Sequence, residues 1–190
     1  ITNGLETLPV YLPDKQNKRA AETNHRIDIL YANLLRSNRE FNKIKKCIDH
    51  HQPELVGFVE YSPGLQEGLK EAVTNYPHRL ELPSPDSFGI ALFSKIPFEP
   101  VKEQIVGTQM TETIAVRLTL GGQKITLILT HPLPPTSRFA SLSRNRQLRE
   151  IAEFCGNETH PVVVIGDLNT PPWSSHFKKF VELSKLRDTR

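Results

Sequence analysis

Cysteine is almost missing: the chain has two, Cys47 and Cys155, in 190 residues. Two thiols do not make a disulfide framework, and no cysteine–histidine cluster suggests a zinc site. Both fall in helical patterns, which predicts two buried structural thiols and no need for an oxidising compartment. Long apolar runs are also missing, so no segment is expected to span a bilayer, and no signal peptide opens the chain. An initiator Met is missing too. The opening Ile1-Thr2-Asn3-Gly4 predicts a processed or excised piece. Nor is there an excess of one charge: 24 basic residues face 21 acidic ones, a net charge of +3. That balance permits a polyanionic substrate without arguing for one, because nucleic-acid binders usually show a clustered basic patch. The densest basic clusters are Lys43, Lys45, Lys46 and Arg144, Arg146, Arg149. Both fall on predicted helices and read as solvated faces.

What is present suffices for one soluble domain, with 37% hydrophobic and 24% charged residues. The stretch to about His25 reads as a linker: Pro9 and Pro13 flank Val10-Tyr11-Leu12, and a polar run follows. From residue 26 strands and helices alternate. Strands are predicted at Ile27–Ala32, Leu55–Val59, Gly89–Phe93 and Val162–Ile165. A hairpin joins Thr113–Leu120 to Ile125–Thr130 through Gly121-Gly122. Asn38 is the expected cap of a helix running to His51, with Phe41, Ile44 and Ile48 on one face. Further helices are marked by Leu65, Leu69 and Val73, by Leu148, Ile151 and Ala152, and by Phe177, Phe180 and Val181. Such a mixture implies an α/β domain with mixed sheets.

The informative residues end the apolar strands. Asn33 follows the first, Glu60 the second, His131 the return strand of the hairpin, and Asp167 and Asn169 the last. Strand ends and the loops after them are where α/β folds gather catalytic groups. The chemistry of the set suits one task. Glu60 offers the hard oxygen ligand that Mg²⁺ or Mn²⁺ prefers, with Asn33 beside it. Asp167 would orient or deprotonate a water. Asn169 would hold that water and a phosphate oxygen. His131 would stabilise the phosphate oxygens as charge builds on them. The spacing of Asp167 and Asn169 puts both on one side of an extended segment. Singly, each has a plainer explanation as a cap, a turn brace or an exposed residue; the joint placement carries the argument. Trp173, close after Asp167 and Asn169, is expected to pack under the site.

These residues sit in recognisable company. Leu30-Tyr31-Ala32-Asn33, Pro53 to Glu60, Phe88 to Lys95, Thr130-His131-Pro132 and Gly166-Asp167-Leu168-Asn169 resemble, in order and rough spacing, the motifs of the endonuclease/exonuclease/phosphatase superfamily. That superfamily includes pancreatic deoxyribonuclease, abasic-site endonucleases, neutral sphingomyelinases and inositol-polyphosphate phosphatases. Thr130 to Pro135, Arg144-Asn145-Arg146-Gln147-Leu148 and Pro172-Trp173-Ser174 are similar to an uncharacterised bacterial subgroup, in which membrane helices often precede the domain. The resemblance implies a deoxyribonuclease-I-like four-layered sandwich of two packed mixed β-sheets flanked by helices. It implies that residues 1–25 follow a membrane region in a bacterial, membrane-tethered parent protein. It also implies a C-terminal segment beyond residue 190, with a closing Asp-His pair. The usual Gln before the metal-binding Glu is Val59 here.

The expected function is that of a Mg²⁺-dependent phosphoester hydrolase of phosphodiesterase or nuclease type, with this chain by itself crippled. His131, Asp167 and Asn169 would be catalytic, Asn33, His131 and Asn169 would bind phosphate, and Glu60 with Asn33 would hold the metal. Two rivals stand beside this reading. One is a catalytically incomplete module binding a phosphorylated ligand or a protein. The other is a lipid phosphodiesterase at a membrane surface. An exposed aromatic loop near the site would favour lipid, and a basic groove nucleic acid.

Overall fold

Ile29–Asn33 (β1) and Leu55–Val59 (β2) are short and apolar, and they pair in parallel with Asn33 opposite Val59. The chain between them needs a crossover, which Phe41–His51 (α1) supplies. A computed structural model describes residues 26–101 and 111–189 of the chain. After β2 come a short helix, Pro63–Gly68 (α2), and two strands, His78–Leu82 (β3) and Ile90–Ser94 (β4). These four strands form one sheet in the order β1-β2-β4-β3, antiparallel on the β4 side.

The second sheet mirrors the first. Phe98–Pro100 (β5), Thr113–Leu120 (β6) and Gln123–Thr130 (β7) form an antiparallel meander. Arg138–Asn157 (α3) then carries the chain over to Val162–Gly166 (β8), which lies parallel to β7. Ser175–Ser184 (α4) closes the described chain and packs on α3.

Alternation along each strand explains the layering. On β2, Val56 and Phe58 face α1 and α2, whereas Leu55 and Val59 face the other sheet. Ile114, Val116, Leu127 and Leu129 meet them from the second sheet. On the far side, Ile128 packs with Leu148, Ile151 and Ala152 of α3 and Phe180 of α4. The result is helices, sheet, sheet, helices, the four-layered sandwich expected from the sequence. Gly57 keeps the sheets close: a β-carbon there would come within 3.1 Å of Ile165 Cδ1.

Four details differ from the sequence reading. Asn38 does not cap α1; its Oδ1 accepts from the Glu40 amide in a turn before the helix starts. Strands β3 and β5 were not expected from the pattern. Cys47 is only half-buried, while Cys155 is buried, and both thiols are free. Arg144 is not on a solvated face but buried at 6% exposure, although Arg146 and Arg149 are exposed as expected. The stretch to His25, read as a linker, lies outside the described residues. Among the described residues no helix is long and apolar enough to cross a membrane.

Candidate active site

Parallel pairing brings the carboxyl ends of β1 and β2 together, and likewise those of β7 and β8. Asn33 is the last residue of β1, and Glu60, His131 and Asp167 directly follow β2, β7 and β8. Glu60, His131, Asp167 and Asn169 line one cleft of about 380 Å³, with Arg36, Asp86, Ser87, Phe88 and Pro134 completing its walls. The sequence therefore selected groups that do converge.

On the first rim, Glu60 is held at both oxygens. Asn33 Nδ2 donates to Oε1 at 3.0 Å and the Arg36 amide donates to Oε2 at 3.2 Å. Asn33 Oδ1 accepts from the Leu35 amide at 3.0 Å, which fixes the orientation of the Asn33 side chain. Leu35 and Glu60 both adopt left-handed backbone conformations, with φ of 57°. Residues other than glycine pay a steric penalty there, so the surrounding bonds hold this rim in a set shape. Asn33 does not line the cleft. It reaches it through Glu60, so its part in this geometry is to steady the carboxylate.

On the second rim, the Asn169 amide donates to Asp167 Oδ1 at 3.0 Å, and Asn169 is left-handed with φ of 48°. Asp167 and Asn169 thus share a side through a tight turn, not through the extended alternation expected from their spacing. Asn169 Nδ2 donates to the Pro132 carbonyl at 2.8 Å, linking the β8 loop to the residue after His131. His131 Nε2 lies 4.0 Å from Asp167 Oδ2, too far for a direct bond but close enough for both to touch one shared atom. The His131 side chain is buried, and Phe88 packs near its ring. Burial holds its pKa below the ordinary imidazole value, against the opposing pull of Asp167, Glu60 and the Ser87 backbone. Burial therefore favours the neutral imidazole.

Sequence reasoning missed Tyr31, on β1. Its hydroxyl is buried without a hydrogen-bond partner among the described residues. Burial raises its pKa, and so do the charges of Asp167 and Glu60, which places the phenol within electrostatic reach of both rims. Sequence also misplaced Trp173, which is 76% exposed instead of packed under the site.

The balance of charge around the cleft is its most telling property. Glu60, Asp86 and Asp167 bring three carboxyl groups, against the single guanidinium of Arg36. Such a cleft repels a phosphate unless a cation intervenes. A preoriented carboxylate with waters and phosphate oxygens to complete the shell is how Mg²⁺ is commonly held, so the donor set fits that ion. Among the described residues no group of three or more His, Cys, Asp and Glu side chains is placed to hold a metal ion. A larger cleft of about 620 Å³ adjoins across Asp86 and Phe88, but Glu81 and Glu112 make its walls acidic and it holds no comparable set of converging groups.

A model of the Endonuclease/Exonuclease/phosphatase family matches residues 30–189, which is most of the chain and includes every residue of the cleft. Sequence comparison with curated proteins finds no match. Among solved structures the chain resembles D. rerio TDP2 complexed with single strand DNA product, at 20% identity and a TM-score of 0.63, over 80% of this chain and 63% of that one. It resembles a Staphylococcus aureus beta toxin mutant with bound magnesium ions at 19% identity and a TM-score of 0.64, over 84% of this chain and 70% of that one. Sphingomyelinase C from Streptomyces griseocarneus aligns at 19% identity and a TM-score of 0.63, over 85% of this chain and 70% of that one. At these identities the likeness establishes a shared fold.

Proposed function

We propose that this chain, which belongs to the endonuclease/exonuclease/phosphatase family, hydrolyses a phosphoester by metal-assisted attack of water on phosphorus. The observation that carries the reading is the convergence of a clamped carboxylate, a second carboxylate and a buried imidazole on one acidic cleft. A divalent cation bound at Glu60 would neutralise the phosphate and the charge that grows on its oxygens. Asn33 and the Arg36 amide keep Glu60 turned toward that position. Asp167 accepts a hydrogen bond from the attacking water and takes its proton as the ester P–O bond breaks, and the leaving alkoxide takes a proton from solvent. Asn169, its amide nitrogen anchored on Pro132, keeps Asp167 and the β7 loop in register and offers its amide oxygen to the same water. His131 presents Nε2 beside Asp167. Burial favours its neutral form, and the negative charge of a bound phosphate would favour the protonated ring, which donates to a non-bridging oxygen.

The test is hydrolysis of bis-p-nitrophenyl phosphate and of p-nitrophenyl phosphate, with and without Mg²⁺, by wild type and Glu60→Gln. We expect a Mg²⁺-dependent rate that drops on the order of a hundredfold in the variant. No Mg²⁺-dependent turnover of either ester, or equal rates for the two proteins, would reject the reading.

One observation supports a second, narrower reading, a phosphodiesterase that works on lipid at a membrane surface. Trp173, Phe139 and Leu142 are exposed, Trp173 four residues after Asn169 and Phe139 five after Pro134 of the cleft wall. Large apolar side chains in water, two of them close in sequence to residues of the cleft, suit an interface better than a soluble ester. Co-sedimentation with phosphatidylcholine–sphingomyelin vesicles separates the two readings: Trp173→Ala should lower vesicle binding and leave hydrolysis of the soluble diester unchanged.

A further inference from the structure

Helix α3 buries two polar side chains one turn apart, Arg144 and Gln147, at the site end of the second sheet. An ordinary core helix would place apolar residues there, as α3 itself does at Leu148, Ile151 and Ala152. Arg144 Nη1 donates to the Asn169 carbonyl at 2.6 Å. The other side of its guanidinium is gripped by Asn145 Oδ1, which accepts from Nε at 3.1 Å and Nη2 at 2.8 Å. Asn145 in turn meets His176 Nε2 of α4 at 3.1 Å. Among the described residues no carboxylate lies within ion-pair distance of Arg144, and burial acts unopposed to lower its pKa. A buried cation without an ion-pair partner is costly, so its bonds must carry a purpose other than charge pairing.

Gln147 serves the neighbouring strand. Its Oε1 accepts from Thr111 Oγ1 at 2.7 Å, and its Nε2 donates to Thr113 Oγ1 at 3.1 Å and Thr130 Oγ1 at 3.3 Å. Thr130 is the residue before His131. The two polar residues of α3 therefore hold the two chain segments that carry the second rim.

We propose that Arg144 is a positioning residue, whose guanidinium fixes the Asn169 peptide in its left-handed turn and so aims Asn169 and Asp167 into the cleft, with Gln147 steadying the His131 strand alongside. The role rests on the proposed hydrolysis but is testable apart from it. The planar fork matters more than the charge: one arm takes a backbone carbonyl while the rest is clamped by Asn145, and a lysine ammonium cannot reproduce that geometry. The chain of contacts also explains why the Asn169 backbone stays in a conformation disfavoured for a side chain with a β-carbon. Its carbonyl is drawn toward α3, its amide toward Asp167 and its side chain toward Pro132.

Two measurements on the full chain decide the matter. In ¹⁵N NMR spectra, Arg144→Lys should shift the Asn169 backbone and side-chain amides while leaving the Glu60 and Arg36 amides of the other rim in place. In kinetics, Arg144→Lys should lower kcat for bis-p-nitrophenyl phosphate by roughly tenfold to a hundredfold with KM little changed, the cost of a small misplacement. Guanidinium added below denaturing concentration should recover part of the rate in Arg144→Ala. Unchanged Asn169 signals in Arg144→Lys would overturn the proposal, as would a loss of rate in Arg144→Ala that guanidinium leaves untouched while wild type is active. If wild type turns over no ester, the hydrolase reading fails, and the Asn169 signals alone still decide the positioning role. Should Arg144→Lys not fold, Asn145→Ala replaces it: the same Asn169 shifts support the role and unshifted signals reject it.

Discussion

Glu60 and Asp167 are two carboxylates on opposite rims of one cleft, and the protein treats them differently. Glu60 has both oxygens bonded by N–H groups, from Asn33 at the end of β1 and from Arg36 in the turn after it. Asp167 has one oxygen bonded, by the Asn169 amide, and the other faces His131 across 4.0 Å with its side chain 42% exposed. The first arrangement suits a group that must stay put and present fixed charge to a cation. The second suits a group that must exchange a proton, since an oxygen already saturated by donors makes a poor base. The backbone supports differ as well. Left-handed residues occur on both rims, Leu35 and Glu60 on one and Asn169 on the other, but the Asp167 rim relies in addition on the close approach of two strands and on α3.

That approach offers the largest effect by which to break the comparison. Gly166 sits opposite Thr130 with φ of 148°, and a β-carbon on it would lie 1.9 Å from the Thr130 carbonyl oxygen. Backbone cannot yield as a flexible side chain would, so Gly166→Ala should cost about 3 kcal/mol or more in unfolding free energy, read by urea denaturation. Gly122→Ala is the control. At φ of 83° it is also strained, but nothing lies within 4 Å of the new methyl group, so about 1 kcal/mol is expected. Similar costs for the two variants would show that the pairing of β7 with β8 is looser than described.

Second in size is the division of labour between the carboxylates. Asp167→Asn keeps the shape and removes the base. It should lower kcat on the order of a hundredfold with the melting temperature nearly unchanged and Mn²⁺ binding retained. Glu60→Gln should instead lose Mn²⁺ binding, measured by calorimetry. If Asp167→Asn loses the metal and Glu60→Gln keeps it, the two rims have been assigned the wrong way round.

The second rim was also the harder one to read from sequence, for a physical reason. Asn33, Glu60, His131, Asp167 and Asn169 were legible because each ends an apolar strand, and the strand itself is visible as a short hydrophobic run. What steadies them was not. Arg144 and Gln147 sit in a helix whose exposed face is equally polar, so composition cannot separate the buried arginine from Arg146 and Arg149. Their burial follows from the packing of α3 across a sheet, which no local pattern encodes. Strand β3 was missed because its face is only half covered, and its polar His78, Arg79 and Glu81 dilute the apolar signal. Strand β5 is three residues long and ends in proline. Trp173 misled in the opposite direction. A lone tryptophan usually packs, and only the path of the loop after β8 shows that this one does not.

The smallest expected effect concerns His131, and it separates the rims by pH. The imidazole is buried and its pKa lies below the ordinary value near 6.5, first because burial disfavours the charged form. In the unfolded chain the same group titrates near 6.5. Between the folded and unfolded values the unfolded state binds more protons, so stability rises with pH. The contribution of His131 is therefore fully present above about pH 6.5 and is lost as pH falls toward the folded pKa, with a slope of at most about 1.4 kcal/mol per pH unit. The measurement is urea unfolding of wild type and His131→Gln between pH 8 and pH 5, in the presence of EDTA so that no metal alters the titration. Groups common to both proteins cancel in the difference. Wild type should lose stability faster than the variant on acidification. Parallel curves for the two proteins would mean that burial does not shift the His131 pKa, and divergence in the opposite sense would mean that the second rim carries a positive charge before phosphate binds.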